Sequence, residues 1–216
     1  MEKALCFEKQ EHNTVQCHLC RHHCTIADGG RGICRVRENR GGQLYSLVSG
    51  LIVAEHSDPV EKKPLFHFLP GSHCYSVASV GCNFRCLHCQ NADIAKYDDQ
   101  GTGRMPGRSM PSAELVHRAV AGGCRSIAYT YTEPTVWFEY ALATARLAAE
   151  AGLYNLFVTN GYISTEALGM IAPVLHAANI DLKGFSTGFY RRVCGAQLSE
   201  VLDCIRDYRR RGICIE

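Results

Sequence analysis

Val80-Gly81-Cys82-Asn83-Phe84-Arg85-Cys86-Leu87-His88-Cys89-Gln90-Asn91 puts three cysteines on one short stretch, in the spacing C-x3-C-x2-C. An apolar run over residues 74–80 leads straight into it, so the thiols are expected on the loop that follows a strand. Three thiolates on such a loop can each hold one iron of a cubane cluster. The fourth iron then has no protein ligand and is open to a small chelating molecule. A zinc site would want a fourth ligand; His88 is the nearest candidate, awkwardly placed between two ligands. The bland alternative is a set of reduced core cysteines.

Beyond this loop the pattern alternates between strand and helix. Strands are predicted over 126–130, 154–159, 179–182 and 213–215, and helices over 112–121, 134–151, 165–175 and 198–211. In 134–151, Trp137, Phe138, Ala141, Leu142, Ala145 and Ala148 share one face, Pro134 suits the first turn and Gly152 follows the end. Alternation of this kind predicts an α/β fold of βα units on a parallel sheet or barrel. Such a barrel builds its active face at the C-terminal strand ends. That rule gathers Cys82, Glu133, Asn160, Asp181 and Lys183 at one mouth. Glu133 can hold an ammonium, Lys183 can pair with a carboxylate, and Asn160 and Asp181 can hydrogen-bond hydroxyls. Together they would suit an amino acid carrying a ribose. Singly, each is an ordinary strand-end polar residue.

The chain has 216 residues and 13 cysteines, with Lys+Arg 23 against Asp+Glu 21 and a net charge of +2. Hydrophobic residues at 46% and charged residues at 20% fit a globular chain and exclude disordered and fibrous classes. So small a charge gives no electrostatic case for nucleic acid or an anionic membrane as partner. Met1-Glu2-Lys3-Ala4-Leu5-Cys6 has no apolar run, and the apolar stretch 141–158 is broken by Arg146 and Glu150. These features predict no secretory leader, no membrane span and a cytoplasmic setting, where clustered thiols are metal ligands rather than disulfides. Residues 1–70 read as a cysteine-rich, loop-rich N-terminal extension with a short strand at 44–48, and residues 71–216 as the βα core. Cys17, Cys20, Cys24 and Cys34 form a candidate second metal site, for zinc or an auxiliary iron–sulfur cluster. Such a site would staple a segment too small to fold on its own core. The chain stops at Glu216, at a strand that a barrel would normally continue, so the barrel is expected to be C-terminally incomplete.

The loop at 82–89 resembles the signature of the radical SAM superfamily. The resemblance implies a partial (β/α) radical SAM barrel, TIM-barrel-like, with Cys82, Cys86 and Cys89 holding a [4Fe-4S] cluster and S-adenosylmethionine on the open iron. The implied activity is reductive cleavage of S-adenosylmethionine to a 5′-deoxyadenosyl radical that abstracts hydrogen from a substrate. This is an oxidoreductase-like reaction, fed by an electron donor such as flavodoxin or ferredoxin. Thr132-Glu133-Pro134 resembles the element usually written Gly-Gly-Glu-Pro, which grips the methionyl amine, with Tyr131-Thr132 in place of the glycines. Asp181-Leu182-Lys183 resembles the Asp-x-Lys element of pyruvate-formate-lyase-activating enzymes, which contacts the methionyl carboxylate and ribose. His88 stands where the family usually has an aromatic residue near adenine.

Further segments are similar to the AmmeMemoRadiSam-system radical SAM enzymes and imply Memo-like and AMMECR-like partners. They are the four N-terminal cysteines, Asp58-Pro59-Val60-Glu61-Lys62-Lys63-Pro64 and Ala128-Tyr129-Thr130-Tyr131-Thr132-Glu133-Pro134. Two other readings stay open: a glycyl-radical-enzyme activase, and a non-catalytic metal-binding remnant.

Overall fold

The main sheet is laid down in chain order. Its strands are β1 (Ala54–Pro59), β2 (His73–Ala78), β3 (Ser126–Tyr129), β4 (Tyr154–Thr159), β5 (Ala177–Ile180) and β6 (Cys214–Ile215), each hydrogen-bonded to the next. β2 to β6 run parallel, while β1 lies antiparallel along the β2 edge. The structure is a computed structural model and describes residues 1–97 and 104–216. Ser126 sits opposite both Cys74 and Tyr154, which brings the ends of β2, β3 and β4 level.

Parallel neighbours need crossovers. Helices α1 (Ser112–Ala121), α2 (Phe138–Glu150), α3 (Thr165–Ile171) and α4 (Leu198–Arg210) lie in them. β3 is buried along its whole length, as a strand covered on both faces should be. The predicted face of α2 is buried, and Trp137, Tyr129, Ile127 and Phe157 share its core. Each such large apolar side chain contributes about 1.5–3 kcal/mol on burial. Among the described residues, no helix is long and apolar enough to cross a membrane.

Several boundaries differ from the predicted ones, three of them for a clear local reason. The helix predicted over 134–151 opens as a 3-10 turn, Pro134–Trp137, and Trp137 (φ −114, ψ 38) leaves helical geometry before α2 begins. α3 stops at Ile171 because Pro173 has no N–H to donate and its ring crowds the preceding turn. β5 lies two residues earlier than 179–182. Ala177 and Ala178 are weak β formers recruited by pairing with Leu156 and Phe157. Asp181 and Lys183 therefore stand beyond the strand end.

The N-terminal segment carries more strand than the sequence suggested. Glu2–Lys3, Gln43–Ser46 and Arg37–Arg40 make one antiparallel sheet, and Phe7–Lys9, Val15–Cys17 and Thr25–Ile26 another. Strands of two to four residues leave no readable periodicity. A buried ion pair ties this segment to α2. Arg37 is 1% exposed and Glu139 4%. Arg37 Nη1 donates to Glu139 Oε2 at 3.0 Å and Nη2 pairs with Oε1 at 3.0 Å. Leu5 closes the ring, its N–H on Glu139 Oε1 at 2.7 Å and its carbonyl accepting from Arg37 Nη2 at 2.8 Å.

Candidate functional site

Each parallel strand delivers one part of the site at its C-terminal end. After β2 the chain turns at Gly81 (φ +102), where an added Cβ would lie 2.8 Å from Val36 Cγ1. Both the dihedral and the close approach require glycine. The loop at 82–89 is then pinned by main-chain bonds, from Arg85 N–H to the Cys194 carbonyl at 2.8 Å and from Leu87 N–H to the Val193 carbonyl at 3.0 Å. Lys96 Nζ donates to the Cys86 carbonyl. Phe84 N–H and Asn160 Nδ2 point at Cys82 Sγ, at 3.3 and 3.7 Å.

After β3 come Tyr131, Thr132 and Glu133. Tyr131 has φ +64, in the left-handed region where glycine is the usual occupant. That is the position where the resemblance puts a glycine. Asn91 Nδ2 holds the Tyr131 carbonyl at 2.8 Å. Thr132 Oγ1 donates to the Ser79 carbonyl at 2.7 Å. Glu133 is buried, and its carboxylate accepts four hydrogen bonds. Oε1 takes the N–H of Thr135 (3.1 Å) and the hydroxyls of Thr135 (2.5 Å) and Thr159 (2.8 Å), while Oε2 takes Asn160 N–H (2.8 Å). After β4, Asn160 Nδ2 donates to Asn83 Oδ1 at 2.7 Å, and Gly161 (φ +68) would place a Cβ 2.7 Å from Ile180 Cγ2. After β5, Lys183 Nζ donates to Asp181 Oδ2 at 2.6 Å.

All nine core-site residues predicted from sequence line one cavity of about 480 Å³: the cysteines 82, 86 and 89 with His88, Thr132, Glu133, Asn160, Asp181 and Lys183. His88 is exposed, and its ring stands 5.9 Å from that of Phe189. Burial pushes the Glu133 carboxyl up, against the pull of its four donors. Burial works to lower the Lys183 ammonium, but Asp181 outweighs it and the net shift is upward, so Lys183 is a firm cation. Burial, with help from the Glu133 carboxylate, pushes the Cys82 thiol up. A bound metal would displace that proton.

The donor set fits a cubane. Three thiols share the cavity with two N–H groups aimed at one of the sulfurs, and no fourth cysteine lines it among the described residues. In a cubane each thiolate meets a different iron. Among the described residues, no three His, Cys, Asp or Glu side chains are already arranged around a single ion point. Cys17, Cys20, Cys24 and Cys34 stand apart from this cavity and line a small closed space of their own, together with Asn83 and Arg37. Asn83 Nδ2 is buried there without a partner, a donor that a thiolate sulfur would satisfy.

Sequence reading missed Lys62, Lys63 and Tyr131, which also line the main cavity, and Asp58, which binds all three. A lysine in a charged, proline-punctuated run carries no signal of burial, yet Lys63 is buried.

Glu133→Gln tests the arrangement. Its amide N–H₂ cannot accept from Asn160 N–H or from the threonine donors. Leaving such buried donors unmatched costs about 1–3 kcal/mol. A thermal melt should show that loss, and an unchanged melting temperature would refute the four-donor role.

Residues 76–215 match the family model of the Radical SAM superfamily. The uncharacterized protein MJ0808 of Methanocaldococcus jannaschii is 44% identical over 216 residues, which is 100% of this chain and 63% of that protein. The uncharacterized protein MJ0674 of the same organism is 23% identical over 207 residues, 93% of this chain and 53% of that one. The chain thus spans 63% and 53% of the length of these curated relatives. The solved "Structure of TYW1 with a lysine-pyruvate adduct bound" is similar over 67% of this chain and 53% of its own, at 18% identity and a TM-score of 0.43.

Proposed function

This chain belongs to the Radical SAM superfamily, and from that premise we propose that it is an oxidoreductase-like enzyme of reductive S-adenosylmethionine cleavage. The reaction yields a 5′-deoxyadenosyl radical that takes hydrogen from a substrate. The observation that carries this reading is the sharing of one cavity by the three-thiol loop and by Glu133, Asn160, Asp181 and Lys183. A [4Fe-4S] cluster, when bound, supplies one electron and one open iron for chelation.

The chain's own residues do the rest. Cys82, Cys86 and Cys89 would hold such a cluster through their thiolates. Phe84 N–H and the Asn160 amide would hydrogen-bond the Cys82 sulfur, and such bonds tune the reduction potential of a cluster. Lys183 pairs with the methionyl carboxylate, and Asp181 is placed to accept from ribose hydroxyls. Glu133 stands beside the expected ammonium while fixing Asn160 through its backbone N–H. His88 offers a ring at the rim. On the N-terminal cysteines and the segment 58–64 we assign the chain to the AmmeMemoRadiSam group, with a flavodoxin- or ferredoxin-like donor and Memo-like or AMMECR-like proteins as partners. Cys17, Cys20, Cys24 and Cys34 are assigned to a second metal, zinc or an auxiliary cluster.

The deciding experiment is oxygen-free reconstitution, reduction, addition of S-adenosylmethionine and assay of 5′-deoxyadenosine, with iron and zinc measured on the same sample. Product is the expected result. A loaded cluster without product would leave a metal-binding chain without the proposed chemistry. Lys183→Ala should keep its iron and lose about tenfold or more in S-adenosylmethionine affinity, the worth of one charge-assisted bond. Unchanged affinity would remove Lys183 from the carboxylate role.

A further inference from the structure

The proposed reading uses one part of the cavity wall and leaves another without a task. β1 runs against its neighbour, with Pro59 opposite His73, so the chain leaving β1 sets out from the N-terminal ends of the parallel strands. Lys63 nevertheless lines the same cavity as Cys82 and Lys183, and so reaches it from the side away from the cluster loop. Its side chain is 3% exposed. Its ammonium is held in three ways: by Asp58 Oδ2 at 2.8 Å, by the Tyr131 hydroxyl at 3.4 Å, and over the Tyr131 ring at 4.6 Å from the centroid. Asp58 Oδ2 also accepts from the Tyr131 hydroxyl at 2.8 Å and from Ser76 Oγ at 3.0 Å.

An internal lysine–aspartate pair alone would be a structural matter. Two facts point further. Lys62 Nζ lies 3.4 Å from Asp58 Oδ1, so two ammoniums share one carboxylate and this wall carries a surplus positive charge. The other anions that line the cavity are already engaged, Asp181 by Lys183 and Glu133 by its four donors. The second fact is Tyr131. A bulky residue is kept in the left-handed conformation (φ +64), and its phenol and ring both go to Lys63 and Asp58. Strain of this kind persists where the surroundings impose it, most often at sites of function.

We infer that Lys63, with Lys62 beside it, recognises an anionic group of the substrate, a carboxylate or a phosphate. Among the described residues, Asp58 and the Tyr131 hydroxyl are the acceptors around the Lys63 ammonium, which leaves one of its three N–H groups for the ligand. The inference rests on the proposed function, since it names the substrate class of the same cavity. It favours a small anionic substrate over the uncharged main-chain glycine on which an activase acts.

The test uses the reconstituted, oxidised protein with S-adenosylmethionine present and no reductant, so that nothing turns over. Inorganic phosphate is titrated by ³¹P line width and ¹³C-acetate by ¹³C line width. The tighter arm identifies the anion. Saturable binding is expected, weakened about tenfold or more in Lys63→Met and several-fold in Lys62→Glu. Lys62 is largely exposed, so the second variant decides the matter if the first does not fold. Absence of binding in both arms, or equal affinity in the parent and the folded variants, overturns the inference. 5′-Deoxyadenosine measured on the same preparations keeps the two claims separate. Product with lysine-independent anion binding sinks only this inference, and lysine-dependent binding without product sinks only the radical chemistry.

Discussion

Cys82→Ala should lower the iron content by about four per chain and abolish 5′-deoxyadenosine formation. A cubane with three protein ligands has no spare anchor, and removal of one leaves two irons exposed to solvent and to oxygen. The protein should stay folded. The loop is pinned through main-chain bonds from Arg85 and Leu87 to the segment at 193–194, and neither involves the Cys82 sulfur, on which Phe84 N–H and Asn160 Nδ2 converge. Cys194→Ala is the control. Cys194 is buried, and burial, with the Cys86 thiol beside it, pushes its own thiol up to about 12, but it does not line the cavity. Iron should survive its loss. Iron kept in Cys82→Ala, or lost in Cys194→Ala alone, would redraw the ligand set. Circular dichroism on each variant separates cluster loss from unfolding.

Arg37→Met should cost about 3–5 kcal/mol and lower the melting temperature by about 10 °C. The substitution leaves the Glu139 carboxylate buried with Leu5 N–H as its partner among the described residues, and strips the Leu5 carbonyl of its donor. The double variant Arg37→Met/Glu139→Leu removes both charges and should recover much of the loss, since a buried pair replaced by apolar side chains is often near neutral. Recovery will be incomplete, because the Leu5 N–H and carbonyl still lose their partners. A single-variant loss below about 1 kcal/mol would mean that water reaches Glu139 and the pair is not closed.

The parts of the molecule legible in the sequence share one property: their signal is local. β4 is legible to its true limits because Tyr154-Asn155-Leu156-Phe157-Val158-Thr159 is largely apolar and flanked by breakers. The cysteine loop was legible because ligand spacing is written along the chain. β5 was displaced because Ala177 and Ala178 become strand only by pairing with β4. β1 leaves no local signal because Ala-Glu-His-Ser-Asp-Pro owes its place to the β2 edge, where a terminal proline is tolerated. The four-donor saturation of Glu133 depends on Thr159 and Asn160 arriving from another strand. The burial of Lys63 depends on Asp58 and Tyr131 meeting it from two elements. None of these has a signature in spacing or composition.

The Arg37–Glu139 pair also bears on how this protein can be dissected. A cut before residue 71 would seem to free the βα core from its cysteine-rich extension. It would instead uncover the Val36 contact at Gly81, remove β1 and Lys63, and leave Glu139 as a lone carboxylate inside α2. The remaining fragment would have an unpaired sheet edge and a buried charge, and both favour aggregation over autonomous folding. The smallest piece worth expressing is therefore the one that still contains Arg37.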